Sequence, residues 1–87
     1  MKAYKNVFLD SLNTADLHEL NRDEAVLKTK DFILENIKLK NKSFVLIHGI
    51  GSGILRKAVH EYLNNCKDVK TYKTDYFNQG ATVVTLK

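Results

Sequence analysis

Past residue 20 the apolar residues begin to recur at helical spacing. On a wheel of roughly 100° per residue, Ala25, Val26, Thr29, Phe32, Ile33 and Ile37 gather on one side and most charges fall elsewhere. Asn21 can cap such a helix, Asn21 and Glu24 have capping-box spacing, and Asp23 and Glu24 suit the positive end of the helix dipole. The pattern predicts a helix over 22–39 with that stripe in the core. Leu27 and Leu34 lie nearly opposite the stripe and read as ordinary partly exposed leucines, with a partner contact as the alternative.

Residues 43–47 (SFVLI) are an unbroken apolar run between polar stretches, too short for a helix and expected of a strand covered on both faces. Over 54–64, Leu55, Ala58, Val59, Tyr62 and Leu63 take one side of a helical wheel, and Arg56, Lys57, His60 and Asn64 take the other, which predicts a second amphipathic helix. Residues 69–77 and 81–86 are rich in Val, Thr, Tyr and Phe, and the Asn78-Gln79-Gly80 break between them reads as a hairpin connection. A shorter strand falls around 14–17, and Tyr4, Val7, Phe8 and Leu9 suggest that the first ten or so residues pack against the body. The order strand, helix, strand, helix, strand, strand implies a small α/β sandwich: parallel strands joined by right-handed helical crossovers, closed by an antiparallel hairpin.

Composition narrows the reading. A length of 87 residues leaves room for one domain, and 44% hydrophobic with 28% charged residues is the balance of a globular chain. No apolar stretch approaches the roughly 18 residues that span a bilayer, and the amino-terminal residues lack the long apolar run of a signal peptide. The expectation is a soluble, cytoplasmic protein with no membrane partner. Cys66 is the single cysteine, so neither an internal disulfide nor a C-x-x-C zinc or redox motif can form. The 14 Lys and Arg residues outnumber the 10 Asp and Glu by 4, a basic balance that leans toward a polyanionic partner.

Candidate chemistry collects where the first two strands end, because the crevice at the carboxyl ends of parallel strands is the usual binding site of open α/β sheets. His18 follows the first strand and His48 the second. Side chains two apart on an extended chain face the same way, so Asp16 and His18 pair on one face while Leu17 points to the other. Taken alone, the tripeptide also fits a plain surface pair at a strand end. The segment His48-Gly49-Ile50-Gly51-Ser52-Gly53 links a buried strand directly to a helix with glycine at alternate positions. Such a loop lets the backbone approach a ligand and aims amides outward, and the helix start adds partial positive charge, a combination suited to phosphate. A tight turn needing glycine for geometry alone is the alternative. The spacing matches neither GxxxxGK[ST] nor GxGxxG, which disfavours nucleotide hydrolysis and a dinucleotide cofactor. Arg56, in the first turn of that helix, can reach a phosphate held by the loop, with Lys57 and His60 extending the basic face. Tyr72, Tyr76 and Phe77, beside Lys70 and Lys73, read first as core packing and second as a surface on which bases stack.

Asp16-Leu17-His18, the segment from Phe44 through the glycine loop to Leu55-Arg56-Lys57-Ala58-Val59, and the closing Gly80-Ala81-Thr82-Val83-Val84-Thr85-Leu86 together resemble the Smr (small MutS-related) domain. The resemblance covers about residues 10–87 and leaves 1–9 as an amino-terminal extension. It implies a two-layer βαβαββ sandwich with a mixed sheet, similar to the carboxyl-terminal domain of a bacterial translation initiation factor. It also implies nucleic-acid binding, in many members with endonuclease activity: nicking of DNA, or cleavage of messenger RNA at stalled or collided ribosomes. On the family pattern Asp16, His18, His48 and Arg56 are the catalytic set and Gly49, Gly51 and Gly53 the loop glycines; the reading of the residues adds Ser52, Lys57, His60, Lys70 and Lys73 to Arg56 and the glycines as phosphate or nucleic-acid contacts. Members usually carry glycine after the Asp-Leu-His, where this chain has Glu19, a carboxylate able to repel a phosphate; members without nuclease activity often replace the histidine that this chain retains as His18.

The chemistry expected of these residues is phosphodiester cleavage in RNA with no obligatory metal. His18 takes a proton from a 2′-hydroxyl while Asp16 orients it, His48 protonates the leaving oxygen or holds phosphate, and Arg56 with the loop amides stabilises the growing charge. Mg2+-assisted nicking of DNA is the variant, and a non-catalytic module that docks on DNA, RNA or the ribosome is the competing class.

Overall fold

The computed structural model describes residues 13–75 and 78–87. The expectations for Tyr4, Val7, Phe8 and Leu9 and for Tyr76 and Phe77 lie outside the described residues. The first long helix, α1 (Arg22–Lys38), starts where its capping box dictates. The Asn21 side-chain oxygen accepts from the Glu24 amide at 2.8 Å, and the Glu24 carboxylate accepts from the Asn21 amide at 3.1 Å. It ends in a Schellman arrangement. Asn41 N–H bonds back to Asn36 C=O and Lys40 N–H to Ile37 C=O, with Lys40 at φ 61°, a left-handed position usually held by glycine.

Ala25, Thr29 and Ile33 of the expected stripe are buried, but Ile37 is 42% exposed and Asn36 occupies the interior position beside it. The slot there is polar. The Asn36 side chain donates to Phe32 C=O at 2.8 Å and accepts from the Asn13 and Asn41 side-chain amides, tying the helix end to the first strand. Leu27 and Leu34 are exposed, at 58% and 52%.

Four strands, β1 (Asn13–Asp16), β2 (Ser43–Ile47), β3 (Val69–Thr74) and β4 (Ala81–Leu86), form one sheet in the order β1-β2-β4-β3. β1 runs parallel to β2, and β4 lies antiparallel between β2 and β3. β3 stops at Thr74, short of the 77 that its composition predicts. The second helix, α2 (Ile54–Asn64), has the predicted bounds. Phe44, Leu46, Val84 and Leu86 alternate inward from the two central strands and meet Ala25 and Ile33 of α1 and Val59 and Leu63 of α2. Phe32 packs edge-on against Phe44 with ring centroids 5.1 Å apart. Phe44, Val45 and Leu46 are buried in succession, as expected of a strand covered on both faces. Among the described residues the fold is thus a mixed four-stranded sheet with two helices. Among the described residues no helix is long and apolar enough to cross a membrane.

Candidate functional site

The carboxyl ends of β1 and β2 lie side by side. Leu17, fully buried, extends the parallel pairing through an N–H···O=C bond to Ile47 at 2.7 Å, which fixes the residues on either side of it. Asp16 and His18 consequently share the outer face, as alternation requires. Asp16 Oδ1 accepts from both the His18 ring Nδ1 at 2.5 Å and the His18 backbone N–H at 3.1 Å. The ring hydrogen bond to Asp16 raises the His18 pKa above the usual 6.5, and the same bond holds the Asp16 carboxyl below 3.8. With Nδ1 held as the donor, Nε2 is the nitrogen left for chemistry. Glu19, on a side chain 85% exposed, places a carboxylate oxygen 3.4 Å from it.

The glycine loop packs directly against this pair. Gly49, Gly51 and Gly53 take φ of 82°, 24° and 84°. A side chain at Gly49 would start 3.3 Å from His18 Cβ, so the loop sits as close to the histidine as backbone allows, whereas at Gly51 it would meet open space. Gly53 is the N-cap of α2, where no side chain takes up the first-turn amides through the cap residue. The Arg56 guanidinium folds back over that cap: a Cβ on Gly53 would lie 3.2 Å from Arg56 Nη2. Arginine charge and helix-start amides thus point into one place.

Gly80 holds the loop from behind. Its carbonyl accepts from both His48 N–H and Gly49 N–H at 2.9 Å, and a side chain there would come within 3.2 Å of the Gly49 carbonyl carbon. In the sequence Gly80 reads as part of a hairpin break and of the closing Smr-like segment; its hold on the loop depends on β4 lying next to β2, which local sequence does not encode.

His48 turns inward. It is 4% exposed, and both ring nitrogens are engaged. The Gly49 carbonyl can only accept, so Nδ1 carries the proton and donates to it at 3.0 Å. In the neutral ring Nε2 is then an acceptor and takes the Thr82 hydroxyl proton at 2.7 Å. With its proton committed, buried Thr82 accepts from His60 Nε2 at 2.7 Å. Burial lowers the pKa of His48 and of His60, and nearby Arg56 lowers both further. The chain of bonds from Gly49 through His48 and Thr82 to His60 therefore belongs to neutral imidazoles.

His48 accordingly stands behind the loop with no ring nitrogen open to the cleft. His60 leaves the solvent-facing side of α2 that the helical wheel gave it, because Thr82 offers a partner and Tyr72 packs against its ring at a tilt, with centroids 5.0 Å apart. Tyr72 is half-buried in that contact, in line with the packing reading.

A cleft of about 300 Å³ runs along His18, Asn21, Arg22 and residues 48–56. It brings together His18, the glycine loop, Ser52 and Arg56. Lys57, Lys70 and Lys73 are exposed but do not line it. Arg22 does, and sequence reasoning passed over it as the first residue of a capped helix; what brings it in is the packing of α1 beside α2. Among the described residues, no three His, Cys, Asp or Glu side chains converge as a metal-ligand set.

The sequence profile of the Smr domain matches residues 15–87. Endonuclease MutS2 of Clostridium acetobutylicum is 37% identical over 71 residues, 82% of this chain but 9% of that protein's length. Endonuclease MutS2 of Finegoldia magna is 32% identical over 94 residues, covering 99% of the chain and 12% of that protein. The chain thus spans only about a tenth of these relatives. Among solved structures, the Smr domain of Thermus thermophilus MutS2 superposes with a TM-score of 0.85 at 32% identity, over 87% of this chain and 99% of that one. YdaL, a stand-alone small MutS-related protein from Escherichia coli, shares the fold at a TM-score of 0.81 and 22% identity, over 100% of this chain and 79% of its own. With the profile spanning most of the chain and the architecture in agreement, this chain belongs to the Smr domain family.

Proposed function

We propose that the chain binds a nucleic-acid phosphate in this cleft and cleaves the phosphodiester bond. The observation that carries the reading is the Asp16–His18 pair pressed against a glycine loop that opens a helix. Its MutS2 relatives, which carry the name endonuclease, agree with it. Asp16 holds the Nδ1 proton, which leaves His18 Nε2 as the nitrogen to accept a proton from an attacking 2′-hydroxyl. Arg56 and the loop amides beyond Gly49, whose own N–H is taken up by Gly80, stabilise the charge that builds on the phosphorane oxygens. His48 acts as a positioning residue: its two hydrogen bonds hold the loop from inside, and the leaving oxygen takes its proton from His18 or water. On DNA, which lacks the 2′-hydroxyl, a Mg2+ ion held by Asp16 and substrate phosphates would supply the nucleophile.

One observation favours a second reading. The Glu19 carboxylate lies at the His18 nitrogen that chemistry needs. A chain silenced there would serve as a docking module for branched DNA, RNA or the ribosome within a longer protein.

End-labelled single-stranded RNA, supercoiled plasmid and a branched duplex, each incubated in EDTA or Mg2+ with the parent and with Asp16→Ala/His18→Ala, separate the readings. RNA cleavage in EDTA that vanishes in the double variant supports 2′-hydroxyl chemistry, and a Mg2+ requirement on plasmid moves the claim to metal-assisted nicking. Binding by the parent without cleavage of any substrate supports the docking module. Equal cleavage by both proteins would sink the assignment of the pair.

A further inference from the structure

Ile50 is 67% exposed, the highest value among the exposed large hydrophobic side chains of the described residues, and it lies on the glycine loop. Ile54, four residues on, is 58% exposed at the start of α2. The other exposed large apolar residues, Leu27, Leu34, Ile37 and Leu39, lie on or just beyond α1. Single exposed apolar residues need no explanation. Ile50 and Ile54 both line a cleft whose charged side chains are Arg22 and Arg56, with the imidazole of His18.

A nucleotide has the same alternation: an anion beside a flat apolar ring. A phosphate held by the loop amides and Arg56 leaves its own or the neighbouring base to lie against the two isoleucines. In a continuous duplex the base faces are covered by stacking, and only edges and backbone reach a protein. An unpaired base has a free face, and its transfer from water onto an apolar side chain is favourable.

We infer that Ile50 and Ile54 form a base-contacting subsite that makes the cleft prefer an unpaired nucleotide over one in a continuous duplex. The inference rests on the nucleic-acid reading above and names the residues that set its specificity. Both side chains are solvent-exposed, so their replacement leaves the core untouched.

The test is fluorescence-anisotropy binding at low salt, using uncleavable 2′-O-methyl RNA and DNA of one sequence, each as a single strand and as a blunt duplex. The proteins are the parent, Ile50→Ser/Ile54→Ser and Arg56→Ala, each checked for a cooperative melt. The parent should hold single strands about tenfold more tightly than duplex, and the isoleucine variant should lose most of that ratio. Arg56→Ala should weaken both forms and leave the ratio in place, because a phosphate contact does not sense pairing. A ratio lost in the RNA arm alone or the DNA arm alone supports the subsite and names the nucleic acid it takes. An unchanged ratio in the isoleucine variant, or a parent with no preference, overturns the subsite while nucleic-acid binding stands. A folded parent that binds none of the four probes overturns the binding reading and the subsite with it.

Discussion

The His18 imidazole sits between two carboxylates, Asp16 at Nδ1 and Glu19 toward Nε2, and both raise its pKa, Asp16 more strongly. A base that titrates above the usual 6.5 is neutral over less of the physiological range, so cleavage should rise with pH through that raised value. Replacing Glu19→Gly removes the weaker of the two contributions. The His18 ring titration, followed by NMR, should move to lower pH, and the acidic limb of the cleavage profile should move with it. An unmoved titration would mean that Glu19 swings clear of the ring in solution. Buried His48 and half-buried His60 have the opposite sign. Their folded pKa values are depressed, so the stability they bring is present above about 6.5 and is lost as pH falls through and below that value. Thr82 is the joint of that network, and Thr82→Val keeps the volume while orphaning one nitrogen on each ring. At about 1–3 kcal/mol per unsatisfied buried group, and about 4–8 °C per kcal/mol in a domain of this size, melting should drop by roughly 10 °C or more. A fall of only a degree or two would show that neither bond matters to the fold.

Among the elements, the hairpin between β3 and β4 does more than reverse the chain. Its Gly80 carbonyl gathers the two amides that end β2, and the close backbone approach leaves no room for a side chain. Gly80→Ala forces the Gly49 backbone away from the hairpin by a few tenths of an ångström and so disturbs its contact with His18. The expected result is a loss of about 1–3 kcal/mol in stability, as for other overpacked positions, with weaker nucleic-acid binding, read by thermal melts and anisotropy on one preparation. Wild-type binding in Gly80→Ala would detach the hairpin from the site. The helices show how far periodicity carries. α2 has the bounds that its alternation of apolar and polar residues predicts. α1 keeps its predicted start but not its last core position, because the slot that periodicity assigns to Ile37 is lined by amide groups and filled by Asn36. A hydropathy pattern reports which side of a helix is apolar, not what waits for it across the interface.

At the scale of the whole molecule, the chain carries an excess of 4 positive charges, yet among the described Lys and Arg residues only Arg22 and Arg56 line the cleft. Counterion release then predicts a shallow salt dependence: two neutralised phosphates give a slope of log K against log salt of about −1.4 on single strands. Arg22→Ala should reduce the magnitude of that slope by about 0.7, and Lys70→Ala/Lys73→Ala should leave it unchanged. A slope that responds to the lysines and not to Arg22 would move the binding track from the cleft to β3.

Much of the site was legible because its signals are local. Alternation puts Asp16 and His18 on one face, glycine spacing marks a loop with unusual φ, and a short loop between strand and helix marks a helix start whose geometry suits an anion; each needs only neighbours within a few residues. The strand and helix order was legible for the same reason, as was the family resemblance, since both are carried by contiguous segments. What depended on distant pairing was not. The insertion of β4 between β2 and β3 brings Thr82 beside His48 and His60 and Gly80 beside Gly49, across separations of 34, 22 and about 30 residues along the chain. That insertion leaves His48 buried with both ring nitrogens engaged, and it draws His60 off the solvent face of its helix. Packing of α1 beside α2 adds Arg22 to the cleft in the same way. The sequence by itself determined which groups are available for chemistry; the tertiary structure decided which of them face solvent, because burial and hydrogen-bond partnership come from segments that meet only once the sheet has closed.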